Sequence, residues 1–202
     1  MMFGEQNTFI IVVSIVFNVA FFGFLTWIFL YRAARSNLKE IGFRPIVLKW
    51  RWVLGALGLT ILSMALSIGI NIGLNYLIHG NIEGVQTMRD MLFQPQSYSF
   101  GEFFVWLIFI GILGPITEEL LFRGGLMTWF GKFMPSWLAL ILPAVIFGLL
   151  HLDSWPIIVS TTVMGIILGL SYKKTGSIWT PILIHVFNNS IAVILIFLSV
   201  NI

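Results

Sequence analysis

The sequence predicts an all-α, polytopic membrane protein of about six transmembrane helices, with a polar site buried between helices three, four and six. The first reason is composition, because 58% of the 202 residues are hydrophobic and only 9% are charged, against about 25% charged residues in a soluble domain. The second is that long apolar runs recur along the chain, and about 20 such residues cross a bilayer. The third is that strong polar residues inside the later runs fall at similar depths.

The first apolar run, Phe9–Tyr31, is long enough to span a bilayer core of about 30 Å. Its leading flank is acidic and no small-residue cleavage site follows, so we expect a retained helix and not a signal peptide. The next loop is basic, which predicts that it lies on the cytoplasmic side. It holds six of the eleven Lys and Arg residues, namely Arg32, Arg35, Lys39, Arg44, Lys49 and Arg51.

The second span is predicted at Trp52–Ile78. It carries the spacing Gly69-x-x-x-Gly73, which lets two helices approach closely. Asn71 and Asn75, also four residues apart, could hydrogen-bond a neighbouring helix, and we expect them to serve packing. The polar stretch 79–100 then forms an outer loop.

The third helix begins near Gly101 and runs to about Gly131, because no turn signal precedes the segment Lys132–Pro135. The last three spans are predicted at Trp137–Leu152, Trp155–Tyr172 and Ser177–Asn201, and the fifth carries Gly165-x-x-x-Gly169. We expect one integral membrane domain, in which residues 1–100 supply two helices and residues 101–202 form the core.

Several classes of function are excluded or disfavoured by composition. The chain has no cysteine, which excludes disulfides, thiol catalysis and cysteine-ligated metal. No basic stripe interleaved with aromatic residues is present, so we expect no nucleic-acid partner. The lipid bilayer is the expected environment, and the oligomeric state is left open.

Glu118, Glu119 and Arg123 stand within six positions of an otherwise apolar run. A charge at the bilayer centre costs about 2.5–3.5 kcal/mol on insertion scales, so such residues usually have a function. At about 1.5 Å rise per residue, the glutamates lie about 20 Å from the turn at 132–135 and His151 about 22 Å. On the sixth helix, His185 and Asn189 lie about 12 and 18 Å from its start.

Helical spacing also predicts which side chains face one another. Glu119 and Arg123 are four residues apart in the favourable order for an ion pair. Glu118 diverges from Glu119 by about 100° and is therefore predicted to face His151. His185 and Asn189, also four apart, share one face of the sixth helix.

A carboxylate beside a histidine can activate water for attack on an amide, so Glu118 and His151 are the predicted acid/base pair. His185 and Asn189 could then donate hydrogen bonds to the oxyanion. Glu118, His151 and His185 could instead bind zinc, with water as the fourth ligand. Polar packing and a proton-transport pathway are the other interpretations of these residues, although the chain lacks the pseudo-symmetric halves typical of transporters.

Three segments resemble the motifs of a known family. The sequences EELLFR (Glu118–Arg123), FGLLH (Phe147–His151) and HVFNN (His185–Asn189) are similar to EExxxR, FxxxH and HxxxN/D of the CPBP intramembrane proteases. That family, also called Abi-like, includes CAAX-type prenyl-protein endopeptidases and bacteriocin-processing or self-immunity proteins. The stretch LKEIGFRP is likewise similar to one found upstream of the core in bacterial members.

The resemblance implies an intramembrane endopeptidase of a bacterial plasma membrane, acting on a membrane-associated or short peptide substrate. It implies that Glu118 and His151 activate water, that His185 and Asn189 stabilise the oxyanion, and that three residues support them: Glu119, Arg123 and Phe147. It favours a glutamic mechanism without a cofactor, with zinc as the alternative. A non-proteolytic immunity or binding protein that keeps the fold is the alternative function.

Overall fold

Six helices and one short 3₁₀ turn make up the computed structural model, which describes residues 13, 16–17, 19–31, 38–44, 50–81, 99–152 and 154–201. We label the helices α1 to α6 in chain order. Their bounds are Val19–Tyr31, Trp50–His79, Phe100–Phe130, Leu138–Leu149, Trp155–Thr175 and Trp179–Asn201. The 3₁₀ turn is Leu38–Ile41. Within the described residues, this confirms the predicted all-α polytopic architecture.

Four of the helices, α2, α3, α5 and α6, are long and apolar enough to cross a membrane. The described part of α1 is shorter, and the rest of the predicted first span lies outside the described residues. The helix α4 has 12 residues, or about 18 Å at 1.5 Å per residue. It is therefore shorter than the predicted span Trp137–Leu152 and ends before His151.

The two predicted Gly-x-x-x-Gly faces have different surroundings. Gly165 and Gly169 of α5 pack against α4, since a Cβ on Gly165 would lie 3.1 Å from Ala144 Cα and one on Gly169 would lie 3.3 Å from Leu140 Cγ. By contrast, no described atom lies within 4 Å of a Cβ added to Gly69 or Gly73 of α2. The α5 spacing therefore serves close packing within the chain.

The segment from Leu38 to Arg44 packs against the turn between α5 and α6. Ile41 is fully buried, and the Ile178 N–H donates to the Gly42 carbonyl at 3.0 Å. Gly42 has φ +79°, and a Cβ there would lie 2.8 Å from the Tyr172 ring, so only glycine fits this approach without strain. The rest of the predicted basic loop up to residue 49, and most of the outer loop, lie outside the described residues.

Candidate active site

The centre of the site is an ion pair inside α3. Arg123 Nη1 donates to Glu119 Oε1 at 2.7 Å, and both side chains are buried, at 2% and 0% exposure. The four-residue spacing predicts this pair. Arg123 Nη2 donates to the Gly165 carbonyl of α5 at 2.9 Å, so the guanidinium also ties α3 to α5.

Aromatic rings cover the rest of the Arg123 guanidinium. Its Cζ lies 5.1 Å from the centroid of the Phe147 ring and 5.9 Å from that of Phe122. Rings at these distances attract a cation through their negative faces. Phe147, the motif aromatic, therefore packs against both the cation and the two histidine rings, with centroids 4.8 Å from His151 and 5.7 Å from His185.

His185 of α6 lies between the two glutamates. Its Nδ1 lies 2.8 Å from Glu119 Oε1, and its Nε2 lies 3.7 Å from Glu118 Oε2. A carboxylate can only accept, so Nδ1 carries the proton in the contact with Glu119. Glu119 therefore does more than neutralise Arg123, because the same oxygen also orients the His185 ring.

The charges of the site nearly balance. Two carboxylates (−2) and one guanidinium (+1) leave a net charge of −1 when both histidines are neutral. Glu119 Oε2 is buried without a hydrogen-bond partner among the described residues, so the pair is tightly enclosed.

His151 occupies a different position from the predicted one. Its Nδ1 donates to the Phe147 carbonyl at 2.8 Å, while its backbone N–H bonds to Gly148 in a tightened last turn. The ring thus replaces the backbone donor that a longer helix would give to Phe147. Glu118 makes its ion-pair contact within 4.0 Å with His185 and not with His151, so the expected direct Glu118–His151 contact is absent among the described residues.

Asn189 lies one turn after His185 on α6, and its amide Nδ2 donates to the Ile110 carbonyl of α3 at 3.2 Å. This carbonyl is available because α3 is π-helical from Leu107 to Leu113. The Gly114 N–H bonds to Phe109, and Pro115 has no N–H, so neither can serve Ile110. The neighbouring Ser190 hydroxyl likewise donates to the Gly111 carbonyl at 3.2 Å.

The structure therefore brings the predicted residues of α3, α4 and α6 together around Phe147 and His185. The exposed fraction of the Glu118 side chain is 16%, and His151 is half-buried, whereas Glu119 and His185 are buried. Water can reach the first pair more readily than the second. Among the described residues no group of three or more His, Asp or Glu side chains has a metal-binding arrangement, so the zinc set of Glu118, His151 and His185 is not assembled.

Sequence reasoning missed three contributors to the site. The Gly165 carbonyl binds Arg123, and the Gly-x-x-x-Gly spacing signals only that a helix comes close there. The second is the Ile110 carbonyl, which accepts from Asn189. Pro115 signals only that the α3 hydrogen-bond pattern is broken nearby. The third is Asn188, which sits beside Asn189 in the motif segment and contacts Ser63 of α2.

Comparison with known proteins matches a segment of this chain that is somewhat shorter than half of it. Residues 100–191 match the family described as type II CAAX prenyl endopeptidase Rce1-like. This segment is similar to that family. It contains all three motifs that resemble those of the CPBP proteases, so the match agrees with the predicted resemblance. Together with the four apolar spans, it identifies an integral, multi-pass membrane protein.

Two Bacillus subtilis proteins are similar to this chain over segments of 89 and 82 residues. One, YdiL, bears a name that describes it as a candidate membrane peptidase, and it is 33% identical over 89 residues, which is 44% of this chain and 36% of the relative. The other, YpbD, is uncharacterised and 34% identical over 82 residues, or 39% of each chain. The match thus spans little more than a third of each relative. No solved structure gives a significant match.

Proposed function

We propose that this chain is an intramembrane endopeptidase that hydrolyses a peptide bond in a membrane-associated or short peptide substrate. The observation that carries the proposal is the buried chain of charges from Arg123 through Glu119 to His185 and Glu118. Its members come from two helices within the segment that matches an endopeptidase family. If these residues served only to hold the helices together, the chain of charges would not need a second carboxylate, Glu118, at its more exposed end.

In the proposed reaction, Glu118 and His151 activate the attacking water. Both are partly exposed, whereas Glu119 and His185 are buried. His151 Nδ1 is already bonded to Phe147, which leaves Nε2 as its basic end. The water's proton passes to this pair as its oxygen adds to the peptide carbonyl. The same proton then goes to the departing amine, as in general acid–base catalysis.

The oxyanion would be stabilised by His185 and Asn189. His185 Nε2 can donate when both ring nitrogens carry protons, while Nδ1 donates to Glu119. Asn189 uses one amide hydrogen for the Ile110 carbonyl, which leaves its second hydrogen for a substrate oxygen. Donors fixed in advance in this way are usually the largest catalytic contribution.

The test of the function is a survey of peptide termini in host membranes. Cells that express the wild type are compared with cells that express Glu118→Gln at the same level. We expect termini that appear only with the wild type, and a fall of about 100-fold or more in their rate of formation in the variant, since general acid–base groups contribute about 10²–10⁴-fold. Identical surveys would overturn the proposal and favour a non-proteolytic binding or immunity protein.

We further propose that the mechanism is glutamic and needs no metal. The support is the donor geometry, because among the described residues His151 does not join Glu118 and His185 in one metal-binding group. Cleavage at the sites found by the survey is therefore expected to continue in membranes treated with 1,10-phenanthroline. Loss of cleavage that zinc restores would instead support the set of Glu118, His151 and His185.

A further inference from the structure

The helix α2 carries a row of polar side chains on one face, at Thr60, Ser63, Ser67 and Asn71. Their spacings of three, four and four residues place them on a single stripe. Thr60 and Ser63 are almost completely buried, at 0% and 1% exposure. This helix lies outside the segment 100–191 that matches the endopeptidase family, so the family relationship assigns the stripe no role.

The stripe faces α5 and α6 through hydrogen bonds. Thr60 Oγ1 donates to the Ile184 carbonyl at 3.2 Å, and Asn71 Nδ2 donates to Ser160 Oγ at 3.1 Å. These two contacts join α2 to its neighbours, and neither acceptor is a side chain of the proposed active site. Ser63 differs from both, because one of its two acceptors, beside the Thr60 carbonyl of its own helix, is a side chain in the third motif segment.

Ser63 begins a relay of side-chain amides that leads to the site. Its Oγ lies 3.2 Å from Asn188 Oδ1 and 2.9 Å from the Thr60 carbonyl, so its single hydrogen is shared between these two acceptors. Asn188 Nδ2 makes a longer contact of 3.4 Å with Asn189 Oδ1. Asn189 Nδ2 then donates to the Ile110 carbonyl. Each amide has its oxygen facing a donor and its nitrogen facing an acceptor, so a flip of either amide would set like groups against each other.

We propose that Ser63 is a positioning residue, which acts through Asn188 to hold the Asn189 amide with one N–H free for the oxyanion. The proposal rests on the proposed function for its catalytic meaning. Its physical basis is that an amide with a fixed oxygen and one fixed hydrogen has only one direction left for its second hydrogen. Through this relay, α2 completes a site whose other residues come from α3, α4 and α6.

The chain supplies a matched control in Thr60. Like Ser63, it is a buried hydroxyl on α2 that bonds to α6, and it lies less than one turn away. However, its acceptors are the backbone carbonyls of Ala56 and Ile184, and neither belongs to the relay. A purely structural role for the stripe predicts the same result for Ser63→Ala and Thr60→Ala, whereas the relay predicts different results.

The first measurement does not depend on proteolysis. The full chain is labelled with ¹⁵N-asparagine in detergent micelles, and the side-chain amide signals of Asn188 and Asn189 are recorded by NMR. Ser63→Ala is expected to shift and broaden both, Thr60→Ala to leave them in place, and Ser63→Thr to restore them. Unmoved signals in Ser63→Ala would overturn the proposal. If that variant does not fold, Ser63→Cys, a weak donor of similar size, replaces it and the same outcomes decide.

The second measurement uses a synthetic peptide that spans a cleavage site identified in the membrane survey. We expect Ser63→Ala to lower kcat about tenfold with KM unchanged, since misplacement of a catalytic group by 1 Å can cost about 100-fold. Thr60→Ala should keep the wild-type kcat. Equal losses in the two variants would overturn the positioning role. If the wild type yields no termini, the proposed function fails, and the NMR measurement still decides whether the relay exists.

Discussion

Replacing Arg123 with methionine is expected to be among the most destabilising single changes in this chain, at about 3–5 kcal/mol of unfolding free energy, the usual cost of removing one partner from a buried ion pair. Methionine keeps much of the side-chain volume but no charge. Glu119 would remain fully buried with a single donor from His185, and the Gly165 carbonyl would lose the hydrogen bond from Nη2. The measurement is a denaturant titration in mixed micelles, followed by circular dichroism.

Two companion variants separate charge from packing in this experiment. Glu119→Gln combined with Arg123→Met removes both charges, and we expect it to be more stable than Arg123→Met alone, because no unpaired carboxylate remains. Glu118→Gln should change stability by less than about 1 kcal/mol, since Glu118 is partly exposed and its contact of 3.7 Å is long. A double variant no more stable than the single one would show that uncompensated charge is not the cause.

Local spacing explains why the Glu119–Arg123 pair could be predicted and the partner of Glu118 could not. Residues four apart in one helix face each other whatever the tertiary structure is. The contacts of His185 depend on how α6 is rotated against α3, and depth estimates accurate to several ångströms cannot fix that rotation. The sequence therefore predicts that His185 lies within about two helical turns of the level of the glutamates, but not that it lies between them.

The position of His151 shows the same limit at the end of a helix. The apolar run through Leu152 predicted a longer fourth helix, since hydropathy does not register how the last carbonyls are satisfied. In the structure the His151 ring bonds to the Phe147 carbonyl and ends α4 with its own side chain. This capping commits Nδ1 to the Phe147 carbonyl, which the helical wheel could not foresee.

The Gly-x-x-x-Gly spacing predicts that another helix can approach closely, but it does not predict which of two such faces is filled. Both Gly69-x-x-x-Gly73 and Gly165-x-x-x-Gly169 allow close approach, yet only the second is filled by a described neighbour. The π-helical turn near Pro115 is similar, because proline predicts a disturbed helix and leaves open which carbonyl becomes free. In each case the outcome depends on which neighbouring helix packs there, and local sequence does not specify this.

Among the described glycines, Gly148 is the one at which an added Cβ would lie closest to a neighbouring helix. A Cβ at this position would overlap Thr162 Oγ1 and lie 2.7 Å from the Ile158 carbonyl oxygen on α5. We expect Gly148→Ala to destabilise the fold by about 3 kcal/mol, at the upper end for overpacking, because a backbone atom cannot move aside as a flexible side chain can. The same denaturant titration measures the loss.

Gly69→Ala is the matched control, because it places the same methyl group in an α-helix where no described atom lies within 4 Å. There the gain in helix propensity, up to about 1 kcal/mol, should leave stability unchanged or slightly raised. Equal destabilisation by both substitutions would contradict the packing described for α4 and α5. Gly148 also lies beside Phe147 and accepts the backbone N–H of His151, so any α4 shift that relieves the overlap would move the proposed base, and a folded Gly148→Ala should also cleave more slowly.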